Sequence, residues 1–155
     1  MTDVRLIELA SRQHRCVARR QLLAIGYGDD AILHRVAGGR LVPVYDGVYA
    51  VAPLLIEEST RWMAATLTTE GSVLSHVSAA AAWRVHRFNG QFQTVTRTGS
   101  GGPRRLDGVL VCRSRTLAGH TTTLDGIPIT TPERTLIDIA PHLGNRDLAR
   151  AVRSG

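Results

Sequence analysis

The chain contains no lysine: all nineteen basic residues are arginine, set against thirteen acids for a formal charge of +6 and a pI near 10.6. Exclusive use of arginine matches the codon bias of a high-GC genome and needs no functional cause, yet the planar guanidinium fork suits phosphate and guanine recognition. The net charge favours a polyanionic partner. Cysteine is scarce too. Cys16 and Cys112 have no metal-ligand spacing, and in a reducing compartment they read as small buried hydrophobes without assigned chemistry. No apolar run approaches the length that spans a bilayer, and the opening MTDVRLIELASR carries charges where a secretory signal has its apolar core. The expectation is therefore a cytoplasmic protein with no membrane partner. A hydrophobic fraction of 43% with 21% charged residues over 155 positions fits a folded chain of one domain or two small ones.

The charge is unevenly spread. Residues 1–52 hold seven arginines against five acids, whereas residues 84–115 hold seven arginines against Asp107 alone. The basic excess thus lies in the middle of the chain.

Within the first segment, GGRLVPVYDGVYAV (38–51) places an Asp-Gly pair between β-favouring residues, the strongest short-range hairpin signal. A two-residue turn at Asp46-Gly47 predicts Val44 opposite Tyr49 and Val42 opposite Val51, with Pro43, Tyr45, Val48 and Ala50 on the other face. An isolated ribbon is marginal in water, so this one must lie on something. Three short helices precede it. Residues 4–12 carry Leu6, Leu9 and Ala10 at helical spacing, with Thr2 or Asp3 placed to cap the start. Residues 18–26 predict a second helix with Leu22 and Leu23 inward and Arg19, Arg20 and Gln21 at its outward first turn, stopped by Gly26 and Gly28. Asp29 and Asp30 then suit the positive end of a third helix, with Ile32, Leu33 and Val36 as its buried stripe and Gly38-Gly39 as its stop. A helix, a helix-turn-helix and a two-stranded ribbon in that order predict a winged helix-turn-helix over 1–52, a DNA-binding architecture that also serves as a protein-interaction module.

From residue 53 the pattern changes to a small mixed α+β domain, 53–155, so that the whole chain is of the α+β class. Helices are predicted at 56–69 and 75–85, strands at 92–97 and 109–114 joined by the flexible basic loop TGSGGPRRLDG. In IPITTPERTLIDIAPHLG, Thr131 caps, Pro132 takes the first helical position, and Leu136, Ile137 and Ala140 form the buried face.

The order of HRCVARRQLLAIG, AGGRLVPVYDGVYAV, VLSHVSAAAAWRV and GIPITTPERTLIDIA resembles the AbiEi-type antitoxin family of actinobacteria, over roughly residues 14–140. The resemblance implies an N-terminal winged helix followed by an α+β domain. It further implies a DNA-binding transcriptional repressor of its own operon, paired with a nucleotidyltransferase-like toxin encoded nearby. Many members carry a C-terminal domain similar to very-short-patch-repair endonucleases. The chain ends at AVRSG within a helical pattern, so a non-catalytic front part of such an endonuclease is the second reading and a winged-helix protein-interaction module the third. The sequence departs from the family at Ala18, where a polar cap is usual and its loss costs ~1 kcal/mol. It departs again at Asp29 and Asp30, and in the wing at Val42, Pro43, Tyr45 and Asp46, where the family is more basic. Fewer phosphate contacts follow, so the expectation is weak DNA binding, or binding helped by a homodimer or by the arginine-rich middle segment.

On this reading double-stranded DNA is met by Arg19, Arg20, Gln21, His34, Arg35, Arg40 and Tyr45. Arg19, Arg20 and Arg40 contact phosphates, Tyr45 lies near them, and His34 and Arg35 reach base edges. No enzyme activity, cofactor or metal is expected. Ser75 beside His76 is read as capping and packing, because adjacent helical residues point about 100° apart and no glycine elbow surrounds the serine. Glu133 and Asp138 fall on different faces of one helix, and His14, His86, His120 and His142 show no ligand spacing.

Overall fold

Asp-Gly pairs make the tight turns of both sheets. Asp46-Gly47, Asp107-Gly108 and Asp125-Gly126 each join two antiparallel strands. Each glycine has a positive φ of 68–79°, as does Asp125 at 49°, the backbone that short hairpin turns demand and that glycine and aspartate tolerate best. The computed structural model describes residues 1–53, 55–87 and 90–154. It divides into two compact units, Met1–Glu70 and Gly71–Gly155.

The first unit runs α1 (Thr2–Ser11), β1 (Cys16–Ala18), α2 (Arg19–Ala24), α3 (Asp29–Ala37), β2 (Leu41–Tyr45), β3 (Val48–Val51) and α4 (Glu58–Leu67). Its sheet has the order β1-β3-β2, antiparallel throughout. Residues directly opposite in such a pair share a face. Val17 lies opposite Tyr49 and Leu41 opposite Val51, and these pack with Leu6, Ala10, Leu22, Tyr27 and Ile32 of the helical layer. Cys16, Ala18, Val48 and Ala50 alternate to the other face and are equally buried. That face is covered by α4, which packs on all three strands and brings the Thr60 carbonyl within 3.4 Å of the Cys16 thiol. Burial pushes that thiol up to about 12, the inert protonated state expected of it.

Several expectations change here. The compact unit extends to residue 70 rather than 52, since α4 supplies the second cover of the sheet. A third strand, β1, precedes α2. The turn at Asp46-Gly47 is as expected, with Tyr45 opposite Val48, but an irregularity between Pro43 and Tyr45 moves the remaining pairs by one, to Pro43–Tyr49, Val42–Ala50 and Leu41–Val51. Leu23 is 40% exposed and Leu33 65% exposed rather than inward. On a short helix the narrow inward stripe takes Leu22 in α2 and Ile32 with half-buried Val36 in α3, and the next residue lies a hundred degrees round.

In the second unit a six-stranded mixed sheet has the order β6-β7-β5-β4-β9-β8. The strands are β4 (Val73–Leu74), β5 (Gln93–Thr98), β6 (Arg104–Leu106), β7 (Val109–Ser114), β8 (Thr121–Leu124) and β9 (Ile127–Thr130); the helices are α5 (His76–Ala82), α6 (Pro132–Ile139) and α7 (Asn145–Ser154). β5 and β7 run parallel over their whole length, Gln93 to Thr98 beside Val109 to Ser114. The basic segment between them is not all loop: Arg104–Leu106 forms edge strand β6 on β7. Thr131 caps α6, its hydroxyl accepting from the Arg134 N–H, and Pro132 follows. The buried face of α6 is Thr135 and Ile139, with Leu136 half-buried, while Ile137 is exposed. α5 packs on α6, and Ala80, Val85, Ile139 and Ala151 form the apolar cluster.

Covering the second face of the first sheet makes α4 part of that core. Met63, 3% exposed, is expected to cost about 2–5 kcal/mol as Met63→Ala, whereas Leu33→Ala is expected to stay within about 0.5 kcal/mol. Denaturant unfolding of the two variants measures the difference.

Candidate functional site

The seven residues expected to meet DNA all belong to the first unit, and the fold treats them unequally. Arg19 begins α2, where its guanidinium pairs with Asp29 of α3; its side chain remains 46% exposed. Arg20 donates to the Leu67 carbonyl at 2.6 Å, at the C-terminal end of α4 where backbone carbonyls lack helical partners. Gln21 makes the half of a capping box that needs no side chain at Ala18. Its Oε1 accepts from the Ala18 N–H at 2.9 Å, and its amide exchanges hydrogen bonds with Gln13. The Ala18 methyl cannot accept from the Gln21 N–H, so the reciprocal half of the box is missing.

Arg35 does not face outward. Its side chain, 20% exposed, pairs with Asp3 of α1 at 2.6 Å and stacks over the Tyr27 ring at 4.9 Å from the centroid. Tyr27 in turn donates its hydroxyl to Asp3. That hydrogen bond, and then the nearby Arg35 charge, hold the Asp3 carboxyl below the usual range against the opposing effect of burial. Tyr45 is half-buried on the α4 side of the ribbon, where burial raises its hydroxyl and the Arg61 charge opposes the rise. Four of the seven, Arg19, Arg20, His34 and Arg40, are exposed; the Arg40 charge also acts on Asp3, helping to hold its carboxyl down. The structure therefore brings Arg19, Arg20, His34 and Arg40 to the surface, Arg20 with its guanidinium held by the Leu67 carbonyl, and packs Gln21, Arg35 and Tyr45 into the fold. Around α3, Ala31, Leu33, His34 and Ala37 are exposed, so no other part of the unit covers that side of the helix.

A second site, in the unit Gly71–Gly155, went unread in the sequence. A cavity of about 320 Å³ is lined by His76, Thr96, Gly101, Pro103, Cys112, Arg113, Ser114, Arg134 and Asp138. It is lined by Thr96 and Cys112, neighbours in the parallel pair, by His76 at the start of α5 and by Arg134 and Asp138 of α6. Arg134 holds its wall. Its Nε donates to Asp138 Oδ1 at 2.9 Å, and its two terminal nitrogens donate to the Thr116 carbonyl at 2.8 Å and the Ser114 hydroxyl at 3.1 Å. The other carboxylate oxygen, Asp138 Oδ2, is buried with no hydrogen-bond partner.

His76 sits at φ 51°, an uncommon backbone for a non-glycine residue. That turn swings its ring back onto the preceding side chain, with Nδ1 3.0 Å from Ser75 Oγ. The expectation that the two could not meet assumed regular helix at both, and Ser75 is extended (φ −149°, ψ 176°). Thr96 donates to the same Ser75 Oγ at 2.7 Å, so Ser75 links β5 to the His76 ring. Burial, first, holds His76 below its ordinary pKa; Asp138 opposes this and His142 and Arg134 add to it. Ser75 is fully buried, out of reach of any substrate, and burial with the nearby Asp138 charge raises the Cys112 thiol. The lining offers a carboxylate acceptor and cationic donors but no activated nucleophile. Among the described residues no three His, Cys, Asp or Glu side chains are grouped to hold a metal, and no helix is long and apolar enough to cross a membrane.

A scan against models of known protein families finds no match, and a comparison with curated proteins finds none. Among solved structures the chain is similar to the RV2827C protein from Mycobacterium tuberculosis, at 18% identity, covering 98% of this chain and 71% of that one with a TM-score of 0.47. At that level the likeness carries nothing about activity or site.

The Tyr27 phenol, pushed up to about 12 by burial and then by the Asp3 carboxylate, gives a pH test of the Asp3–Tyr27–Arg35 cluster. A folded pKa above the unfolded one stabilises fully below the ordinary value of about 10 and is lost as pH rises from there towards 12. Stability is expected to fall over that window, and Tyr27→Phe to remove this part of the fall. Arg35→Ala is expected to cost about 0.5–1 kcal/mol through the ring contact alone. Denaturant midpoints at successive pH values measure both.

Proposed function

We propose that residues Met1–Glu70 form a winged helix-turn-helix that binds double-stranded DNA and that the chain acts as a transcriptional repressor of antitoxin type. The observation that carries this reading is α3. It follows α2 after a turn of four residues and precedes the β2–β3 ribbon. It buries Ile32 and leaves a whole side open to a groove. Such an element enters the major groove in winged-helix proteins while the ribbon approaches the backbone. The resemblance to AbiEi-type antitoxins supplies the rest of the proposal: an operator in the chain's own promoter and a nucleotidyltransferase-like toxin as partner.

The contact set is smaller than the count of arginines implies. Arg40 beside the ribbon and Arg19 at the start of α2 take phosphates, Arg19 by exchanging Asp29 for a phosphate oxygen. His34 is left as the residue for a base edge, and Asp29 and Asp30 at the head of α3 repel the backbone. Binding of this kind is weak and shallow in its salt dependence.

A second reading rests on Leu33. A large apolar side chain, 65% exposed at the middle of the outward face, suits a protein surface better than a phosphate backbone, and Val4 and Ile7 of α1 are exposed as well.

Binding to upstream promoter DNA as a function of salt separates the two. The DNA reading expects a slope of log affinity against log salt of roughly −2, about −0.9 for each of the two phosphates neutralised. Arg40→Ala reduces that slope by about 1, and Arg20→Ala leaves it unchanged while lowering stability. No retention of DNA at low salt would leave the protein-interaction reading.

A further inference from the structure

We propose that the outer edge of β8 is a homodimer interface, at which Thr121–Leu124 pairs antiparallel with the same strand of a second copy of this chain. The six-stranded sheet ends in β6 on one side and β8 on the other, and the two edges are made differently. β6 is guarded. It carries Arg104 and Arg105, Pro103 precedes it, and the Arg105 guanidinium lies over the Phe92 ring, 4.9 Å from its centroid. Charge and proline are common means of keeping an edge from adding a further strand. β8 has neither. Thr121, Thr122 and Thr123 are exposed and uncharged, Ala118, Gly119 and His120 before them are exposed as well, and threonine favours extended backbone.

The ladder to β9 fixes which backbone groups are open. In an antiparallel pair, residues alternate between exchanging both backbone bonds with the partner strand and turning both groups away from it. The Thr131 N–H donates to the His120 carbonyl at 2.9 Å. His120, Thr122 and Leu124 therefore bond to β9, while Thr121 and Thr123, which alternate with them, turn their N–H and C=O groups outward. Pro128, which has no N–H to give, stands opposite Thr123, where none is called for. Among the described residues no hydrogen bond reaches these outward groups.

The open groups are self-complementary. They belong to alternate residues, so a twofold axis through Thr122 sets Thr121 opposite Thr123 of the copy, and every outward donor finds an outward acceptor. Thr122 then meets its own counterpart as the close, non-hydrogen-bonded pair, with Cα atoms about 4.5 Å apart. A slip of one residue would set outward groups against inward ones and lose the bonds, whereas a slip of two would draw in Asp125, whose φ of 49° is not extended. Opposed threonines are a favourable cross-strand contact. No like charges meet, since His120 falls opposite Leu124 and Asp125 opposite Gly119. That match selects a second copy of the chain over an unrelated strand. So short a strand buries much less than a standard interface, and the dimer forms weakly, with rising concentration. No residue of the first unit takes part, so the pairing stands whether or not α3 meets DNA.

Sedimentation velocity of the full chain up to about 1 mM is expected to show a concentration-dependent shift from monomer to dimer. Thr123→Pro removes an outward N–H and no bond to β9, at an edge position where proline is tolerated. Thr122→Lys sets two like charges across the axis. Each is expected to weaken dimerisation about tenfold or more, and circular dichroism confirms that each is folded. Cross-linking then reads the register. Under mild oxidation Thr122→Cys is expected to give a disulfide-linked dimer. Thr121→Cys is not, because the two copies of that position stand beyond the roughly 7 Å that a disulfide spans between Cα atoms. The unsubstituted chain, with Cys16 buried and Cys112 half-buried, gives the background. A chain that stays monomeric up to about 1 mM, a dimer indifferent to both Thr123→Pro and Thr122→Lys, or equal cross-linking by Thr121→Cys and Thr122→Cys would overturn the proposal.

Discussion

Each guanidinium in this chain either completes the fold or remains open to an anion, and its five N–H donors limit how far it can do both. That constraint organises both units. In the first, Arg20 satisfies the end of α4 and Arg35 ties α1 to α3 through Asp3 and Tyr27. Arg19 bridges α2 and α3 through Asp29. These bonds tie together helices that are short and a core with few aromatic side chains. In the second unit Arg134 does similar work on the cavity wall. Arg97 and Arg113 stand side by side with no acid on either among the described residues.

Function follows from what is left over. The outward side of α3 keeps His34 and Leu33, with Arg40 beyond it at the ribbon, a surface poor in charge for a DNA reader. Net charge alone would place the polyanion contact in the middle of the chain, at residues 84–115. Of the seven arginines there, Arg97, Arg104, Arg105 and Arg113 lie on strands β5, β6 and β7, and Arg113 lines the cavity. One polypeptide thus carries a groove-sized helix with few cations and, in its second unit, a small polar cavity lined by Arg113 and Arg134.

Local signals in the sequence were legible where a single residue pair decides the backbone. Asp46-Gly47 foretold its hairpin, and the same pair at 107–108 and 125–126 could have been read the same way, giving β6, β8 and β9. Thr131-Pro132 fixed the start of α6. Faces were less legible, because short helices bury a stripe only one or two residues wide: Ile32 and Leu33 are equally apolar neighbours, and tertiary packing alone decides which is covered. The third strand at Cys16–Ala18 is too short to show a period, and α4 joined the first core because Val48 and Ala50 needed a cover that nothing local announces. Of the site residues, exposure of His34 and Arg40 followed from pattern, whereas the partners of Arg20 and Arg35, Leu67 and Asp3, lie 47 and 32 residues away and leave no trace in spacing. The Ser75–His76 contact was hidden by the assumption of regular helix at a residue that adopts positive φ.

The most direct test of the central claim, that the open side of α3 is the nucleic-acid surface, is amide chemical-shift mapping during titration with promoter duplex at low salt. The account predicts that the largest shifts fall on residues 30–40 and the first turn of α2, with Tyr27 and Leu22 little changed. Shifts confined to residues 97–115, or none at a duplex excess, would contradict it.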